Sequence, residues 1–281
     1  MTTTTPNTGA DKAEQLLNQL HDGIATLTTS TAWTSWLDVA RTFHTYSVNN
    51  TILIWTQRPD ATHVAGYHAW RRLGRQVRKG ERGLRILAPM ANKVTDDDTG
   101  EERRIIRGFR SVAVFDITQT DGDPLPDTPV TPLVGDAPHL FRQRLACLIR
   151  AEGFRFTIGD MPPGHADANG VTNYATRTVT IRPDLTDAQA AKTTAHELAH
   201  VLMHNPGTGT RPAREVCEIE AESVAYLLCG HEGLDSADYS LGYVAGWAGG
   251  DHDLIAATAG RVLEVARAVI DRLTPADAAA A

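Results

Sequence analysis

The stretch that decides the fold runs from residue 186 to 229, TDAQAAKTTAHELAHVLMHNPGTGTRPAREVCEIEAESVAYLLC. Thr186-Asp187-Ala188-Gln189 reads as a helix start, with a side-chain oxygen on Thr186 to hold the backbone N–H of Gln189 and a glutamine three residues on. Asn205-Pro206-Gly207 stops that helix, because proline offers no N–H and glycine accepts the reversed backbone. HELAH lies between the two signals. Four residues are little more than one helical turn, so His196 and His200 leave the same face and can each offer a ring nitrogen to one tetrahedral Zn²⁺. Glu197 sits beside them as the candidate catalytic base, close enough to take a proton from a water at the metal.

A zinc site of the peptidase kind needs a third protein ligand and leaves its fourth position open. The helix expected over Arg214 to Cys229 can bring it. Glu218 and Glu222 share a face with Ala221, Ala225 and Cys229, whose small side chains allow a close approach to the HELAH helix, and Glu220 points roughly the opposite way. Glu218 is therefore expected as the third metal ligand, with Glu222 one turn on orienting a histidine ring from behind; Glu222 as the ligand is the alternative. His204 continues the histidine stripe and borders the site, with metal ligation as the alternative. Tyr239 and Tyr243 are candidate donors to a developing oxyanion, with core packing or a surface hydroxyl as the favoured reading of each, and the strand TRTVTIR before the helix is a candidate edge for an extended peptide.

Outward from this stretch the chain divides by charge. Residues 1–120 carry 15 Lys and Arg against 12 Asp and Glu, residues 121–281 carry 12 against 22, and the whole chain is −7. The basic concentration is WRRLGRQVRKGERGLR, residues 70–85, with seven cations against Glu81 alone. Arg71, Arg72, Arg75, Arg78, Lys79 and Arg82 could follow a phosphate backbone, and Tyr67 and Trp70 could stack on unpaired bases; a solvated charged face with both aromatics in the core is the competing reading.

The pattern around these motifs is α+β. Leu16, Leu17, Leu20, Ile24 and Leu27, then Trp33, Trp36, Leu37, Ala40 and Phe43, recur at helical spacing. The apolar patch TILIW and a short helix around GYHAWRRLG follow, and LRILAP and SVAVFDI flank a polar turn as a hairpin does. DGDPLPDTPVTPLVGDA, residues 121–137, holds four prolines and reads as a linker between a domain over 1–120 and one over 138–281. Beyond it come a helix over HLFRQRLACLIRAEGF, strands at GVTNYA and TRTVTIR, the two helices above and a last helix over about 253–273.

Composition bounds the function. With 42% apolar and 22% charged residues the chain can bury a core. Three cysteines without CxxC spacing point to reduced thiols, not a disulfide framework or a cysteine-rich zinc site. The start MTTTTPNTGADK lacks the apolar stretch of a secretory signal and no apolar run is long enough for a membrane span, so the expectation is a cytoplasmic protein without a membrane partner.

FHTYSVNNTILIW, GYHAWRRLGRQVRKGERGLRILAP and VFDITQTDGDPLP resemble the N-terminal single-stranded-DNA-binding domain of ArdC-type antirestriction proteins. HELAH with EIEAESVAYLL resembles their C-terminal zincin-like metallopeptidase domain and the related IrrE-like peptidases. The resemblance covers about residues 30–250. It implies an α+β DNA-binding domain and a mostly helical zincin-like domain with a small sheet, which together protect mobile-element DNA, with a protein or peptide substrate at the zinc. Two alternatives stay open: a DNA-binding protective protein with a structural, non-proteolytic zinc domain, and a soluble regulatory peptidase that does not bind DNA.

Overall fold

A computed structural model of the chain describes residues 9–43, 45–95, 102–125, 137–206, 212–234 and 251–274. The fold is α+β, as the pattern predicts, and its residues cluster into two units.

The first unit comprises residues 1–27 and 45–127. Its core is a three-stranded antiparallel sheet in the order β1-β4-β3, formed by β1 (Val64–Gly66), β3 (Leu84–Thr95) and β4 (Glu102–Asp116), against which α1 (Gly9–Thr26) and α3 (Val48–Gln57) pack. The expected stripe is buried at Leu16, Leu20 and Ile24 on α1 and at Leu27 just beyond it, whereas Leu17 turns outward. The patch TILIW lies inside α3. Strand β3 is an edge, and α3 covers part of it with two side-chain amides. Asn50 donates to Leu87 O and accepts from Leu87 N, both at 2.9 Å. Gln57 treats Arg85 in the same way, at 2.8 and 2.7 Å. Amide side chains thus satisfy the backbone groups that an edge strand otherwise leaves open. A short helix α4 (Tyr67–Arg72) leads into β2 (Arg75–Val77), which pairs antiparallel with β5 (Thr120–Gly122).

The second unit comprises residues 28–44 and 128–281. Helix α2 (Ser30–Thr42) therefore belongs with the HELAH half, although it lies within the first 120 residues of the chain. Its apolar stripe, Trp33, Trp36, Leu37 and Ala40, is fully buried. It packs on α7 (Arg214–His231), where Trp33 Nε1 donates to Ser223 Oγ at 2.9 Å and Tyr226 OH donates to Asp38 Oδ1 at 2.5 Å. Most of the proline-rich segment, residues 126–136, lies outside the described residues.

The remainder of this unit is a helical layer on a small sheet. Helix α5 (Ala137–Ala151) ends where Gly153 takes a left-handed φ of 79° and Phe154 N reaches back to Ile149 O. The chain then enters β6 (Arg155–Ile158), a strand too short and polar for its pattern to announce. Strand β6 pairs in parallel with β8 (Thr178–Ile181), and β7 (Gly170–Asn173) pairs antiparallel on its other side, giving the order β6-β8-β7. Helix α6 (Asp187–Met203) packs between α5 and α7, and α8 (His252–Leu273) lies against α7. No helix among the described residues is long and apolar enough to cross a membrane.

Candidate metal centre

Helix α6 starts as its capping residues require, with Thr186 Oγ1 accepting from Gln189 N at 3.3 Å. Its inner face is poor in bulk: Ala190, Ala191, Ala195 and Ala199 are buried, as are Ala221 and Ala225 on α7. The two helices can approach closely, and carboxylates from α7 reach the histidines of α6.

Three donor atoms converge. His196 Nε2 and His200 Nε2 lie 3.0 Å apart, and Glu218 Oε2 lies 3.5 Å from the first and 3.7 Å from the second. With bonds of about 2.0–2.2 Å, neighbouring ligand atoms on a tetrahedral ion are roughly 3.3–3.6 Å apart, so this triangle has about the size of one tetrahedral face. It is the one His/Cys/Asp/Glu group of metal-binding geometry found among the described residues. Glu218 is half exposed, and the triangle opens on a cavity of about 650 Å³ whose lining includes Glu197, Tyr174, His165 and Arg214.

Electrostatics favour a cation among these donors. Burial disfavours an imidazolium at His196, yet hydrogen bonds to Glu218 and Glu222 and the charge of Glu197 raise its pKa to about 10. Hydrogen bonding to His196 and His200 holds Glu218 well below the ordinary carboxylate range. Glu222 is also lowered, its burial outweighed by His196 and Lys192. A proton on His196 meets this demand, and a divalent ion meets it with more charge. The residues present therefore fit a metal.

Behind the triangle, each histidine is anchored. His196 Nδ1 lies 3.0 Å from Glu222 Oε2, and the other oxygen of Glu222 accepts from Lys192 Nζ at 3.0 Å. His200 Nδ1 faces His204 Nδ1 at 2.9 Å, and His204 Nε2 lies 2.9 Å from Glu220 Oε2. Glu220 is buried and faces His204, not solvent. Helix α7 packs on α2, α6 and α8, so more than one of its faces is interior. His204, the next histidine along the stripe, was the signal that a carboxylate was needed there.

Glu197 is buried and turned into the cavity. Thr172 Oγ1 on β7 donates to Glu197 Oε2 at 2.6 Å. Gly170 makes room for it: a Cβ there would lie 2.8 Å from Glu197 Oε1 and 2.7 Å from Thr193 Cγ2. The strand beside the site is therefore β7. TRTVTIR forms the central strand β8, paired on both sides, which overturns the expectation of an edge there; the edge strand beside the site is β7, whose outer side has no strand neighbour among the described residues. Tyr239 and Tyr243 lie outside the described residues.

The residues expected to hold DNA separate into two groups. Trp70 is 1% exposed and its Nε1 donates to Phe115 O at 2.8 Å, so it is a core residue and not a stacking platform. Arg75 is occupied in holding β2 to β5, donating to Thr120 Oγ1 at 2.8 Å and Gly122 O at 2.9 Å. Arg78 pairs with Glu81 at 2.9 Å and lies 3.5 Å from Asp121. Trp70 is thereby corrected from a stacking residue to a core one, whereas Arg75 and the exposed Arg78 have side-chain N–H groups engaged within the unit. Arg71, Arg72, Lys79 and Arg82 are exposed, and Tyr67 is 41% exposed. Arg71 and Arg72 line a shallow depression with His68. On β4, Phe109 is 50% exposed between the exposed Arg107 and Arg110.

The chain is similar to known proteins in both units. Residues 10–115 match the N-terminal domain of anti-restriction factor ArdC, and residues 150–243 match the IrrE N-terminal-like domain. An uncharacterized protein of Bacillus anthracis is 23% identical over 250 residues, covering 75% of this chain, and the chain spans 42% of that protein's length. The crystal structure of the antirestriction ArdC protein from the R388 plasmid, in its metal-free form, aligns with a TM-score of 0.50 at 24% identity over 81% of this chain and 85% of that one. The Mn(II)-bound structure of the R388 protein aligns with a TM-score of 0.57 at 18% identity over 92% and 99%. At these identities the structural likeness establishes the fold. The chain thus carries, in this order, a region similar to the N-terminal domain of anti-restriction factor ArdC and a region similar to the IrrE N-terminal-like domain.

Proposed function

We propose that the chain binds single-stranded DNA through its first unit and hydrolyses a peptide bond at a zinc site in its second, as a cytoplasmic protein protecting mobile-element DNA. The observation that carries the hydrolytic part is the convergence of His196 Nε2, His200 Nε2 and Glu218 Oε2 on one open cavity that also holds Glu197. The Mn(II)-bound form of the R388 protein supports a divalent ion in this chain as well, and two imidazoles with one carboxylate are a donor set that suits zinc.

A bound ion would supply the Lewis acidity that polarises a peptide carbonyl and makes water a nucleophile near neutral pH. The chain's own residues do the rest. Glu197 takes the proton from the attacking water and passes it to the leaving amine. Thr172 holds the carboxylate by its Oε2 and leaves Oε1 for that proton. The open side of β7 offers backbone groups to an extended substrate.

For DNA, the supporting features are Tyr67 and Phe109 as exposed rings and Arg71, Arg72, Lys79, Arg82, Arg107 and Arg110 as exposed cations. The proposed division is a DNA-binding domain over 1–120 and a metallopeptidase domain over 138–281, with α2 contributed to the latter's core.

The test is metal content by mass spectrometry together with cleavage of proteome-derived peptides scored for new termini. The wild type is expected to hold one zinc per chain, and Glu197→Gln to keep the metal and lose cleavage. A chain that takes up no zinc when it is supplied overturns the reading.

A further inference from the structure

Resting on the metal-site reading, we propose that His204, Glu220 and Arg261 form a buried relay that fixes the tautomer of His200, so that His204 is a positioning residue and not a ligand. The argument begins with hydrogen bookkeeping. Two imidazole nitrogens 2.9 Å apart, as His200 Nδ1 and His204 Nδ1 are, share a single hydrogen. His200 turns its Nε2 toward His196 and Glu218. A lone pair available there places the His200 hydrogen on Nδ1. His204 Nδ1 must then accept, and the His204 hydrogen resides on Nε2. That nitrogen faces Glu220 Oε2 at 2.9 Å, an acceptor. The other carboxylate oxygen of Glu220 accepts from Arg261 Nε at 2.6 Å, and the Arg261 guanidinium is steadied by Thr258 Oγ1 at 3.1 Å.

Every hydrogen in the chain thus points the same way, from His200 through His204 to Glu220, with Arg261 closing it from α8. Water has little access: the side chains of His204 and Glu220 are 0% and 1% exposed. Reversing one member therefore forces two N–H groups or two lone pairs against each other with no solvent to relieve them. The relay differs from the support of His196, where the partly exposed Glu222 touches the ring directly and Lys192 sits beyond it. It also gives α8 a role at the metal site although none of its side chains lines the cavity.

The test uses the full chain loaded with zinc and labelled with ¹⁵N-histidine. Long-range proton–nitrogen correlation is expected to find His196 and His200 as Nδ1–H rings and one further slowly exchanging ring as Nε2–H, the latter shifting in Arg261→Met. A responding ring with its hydrogen on Nδ1, or on both nitrogens, overturns the relay. In parallel, zinc affinity is read by competition with a chromophoric chelator. Glu220→Gln is expected to weaken zinc binding roughly 10- to 100-fold, Arg261→Met to weaken it less, and Arg261→Lys to stay nearer the wild type. Arg261 is 40% exposed, so its variants keep the test informative should Glu220→Gln fail to fold. Wild-type affinity in both Glu220→Gln and Arg261→Met overturns the relay. A wild-type chain that binds no zinc overturns the metal site itself and the relay with it.

Discussion

Thr172 Oγ1 donates a 2.6 Å hydrogen bond to Glu197 Oε2, tying the candidate base on α6 to strand β7. A carboxylate held by one oxygen presents the other in a fixed direction, which proton transfer over a short distance requires. Thr172→Val keeps the shape and removes the donor. It should lower peptide cleavage about tenfold or more while zinc content stays at the wild-type level. Equal cleavage rates in the two proteins would show that Glu197 needs no such tether.

Glu218 and Glu222 stand one turn apart on α7 and play different parts. Glu218 Oε2 joins the donor triangle, whereas Glu222 lies behind His196 with Lys192. Glu218→Gln should lose most zinc affinity, because it removes a ligand charge. Glu222→Gln should weaken affinity roughly 10- to 100-fold, as removal of a partner behind a ligand does. Chelator competition ranks the two, and the reverse order would make Glu222 the ligand.

The arginines of the basic stretch should separate by experiment as they do by structure. Arg71→Glu with Arg72→Glu should weaken binding to a labelled single-stranded oligonucleotide and flatten its salt dependence, by roughly 0.7 in log–log slope for each phosphate no longer neutralised. Arg75→Ala should instead lower the melting temperature, because its guanidinium joins β2 to β5. Unchanged oligonucleotide affinity in the Arg71/Arg72 double variant at low salt would remove this face from the DNA surface.

Asp116 predicts acid sensitivity of the first unit. Burial raises its pKa, but hydrogen bonds from Thr118, Thr62 N and His63 N outweigh this and hold it below the ordinary value. A folded pKa below the unfolded one means that the unfolded chain binds the extra proton. The stabilisation is complete above about pH 4, the unfolded value, and is lost as the pH falls through the folded value. Asp116→Asn should cost about 1–3 kcal/mol at neutral pH, since an amide N–H would face the N–H groups of Thr62 or His63. Urea unfolding as a function of pH measures both, and a variant with the wild type's acid profile would assign the sensitivity elsewhere.

The sequence by itself determined the local elements of this protein. The capping signal at Thr186, the one-turn spacing of His196 and His200, the alanines that let α6 and α7 meet and the apolar stripes of α1 and α2 are all read over a few residues, because helical periodicity and capping are short-range properties. From those the α+β class and the histidine face follow, and so does the helix that carries the glutamates. Tertiary structure decided what depends on distant partners. Trp70 and Arg75 look like ligand-binding residues in a basic run, but the carbonyls of Phe115 and Gly122, some 45 residues on, claim them. TRTVTIR reads as a strand, yet only strand order makes it central and leaves β7 beside the site. Helix α2 has the same pattern whichever unit it joins, and its hydrogen bonds with Ser223 and Tyr226 place it. That Glu220, turned away from Glu218 and Glu222, is nonetheless buried follows from packing, because α7 is enclosed by three other helices. Burial and pairing are properties of the packed chain, and no local window of residues contains them.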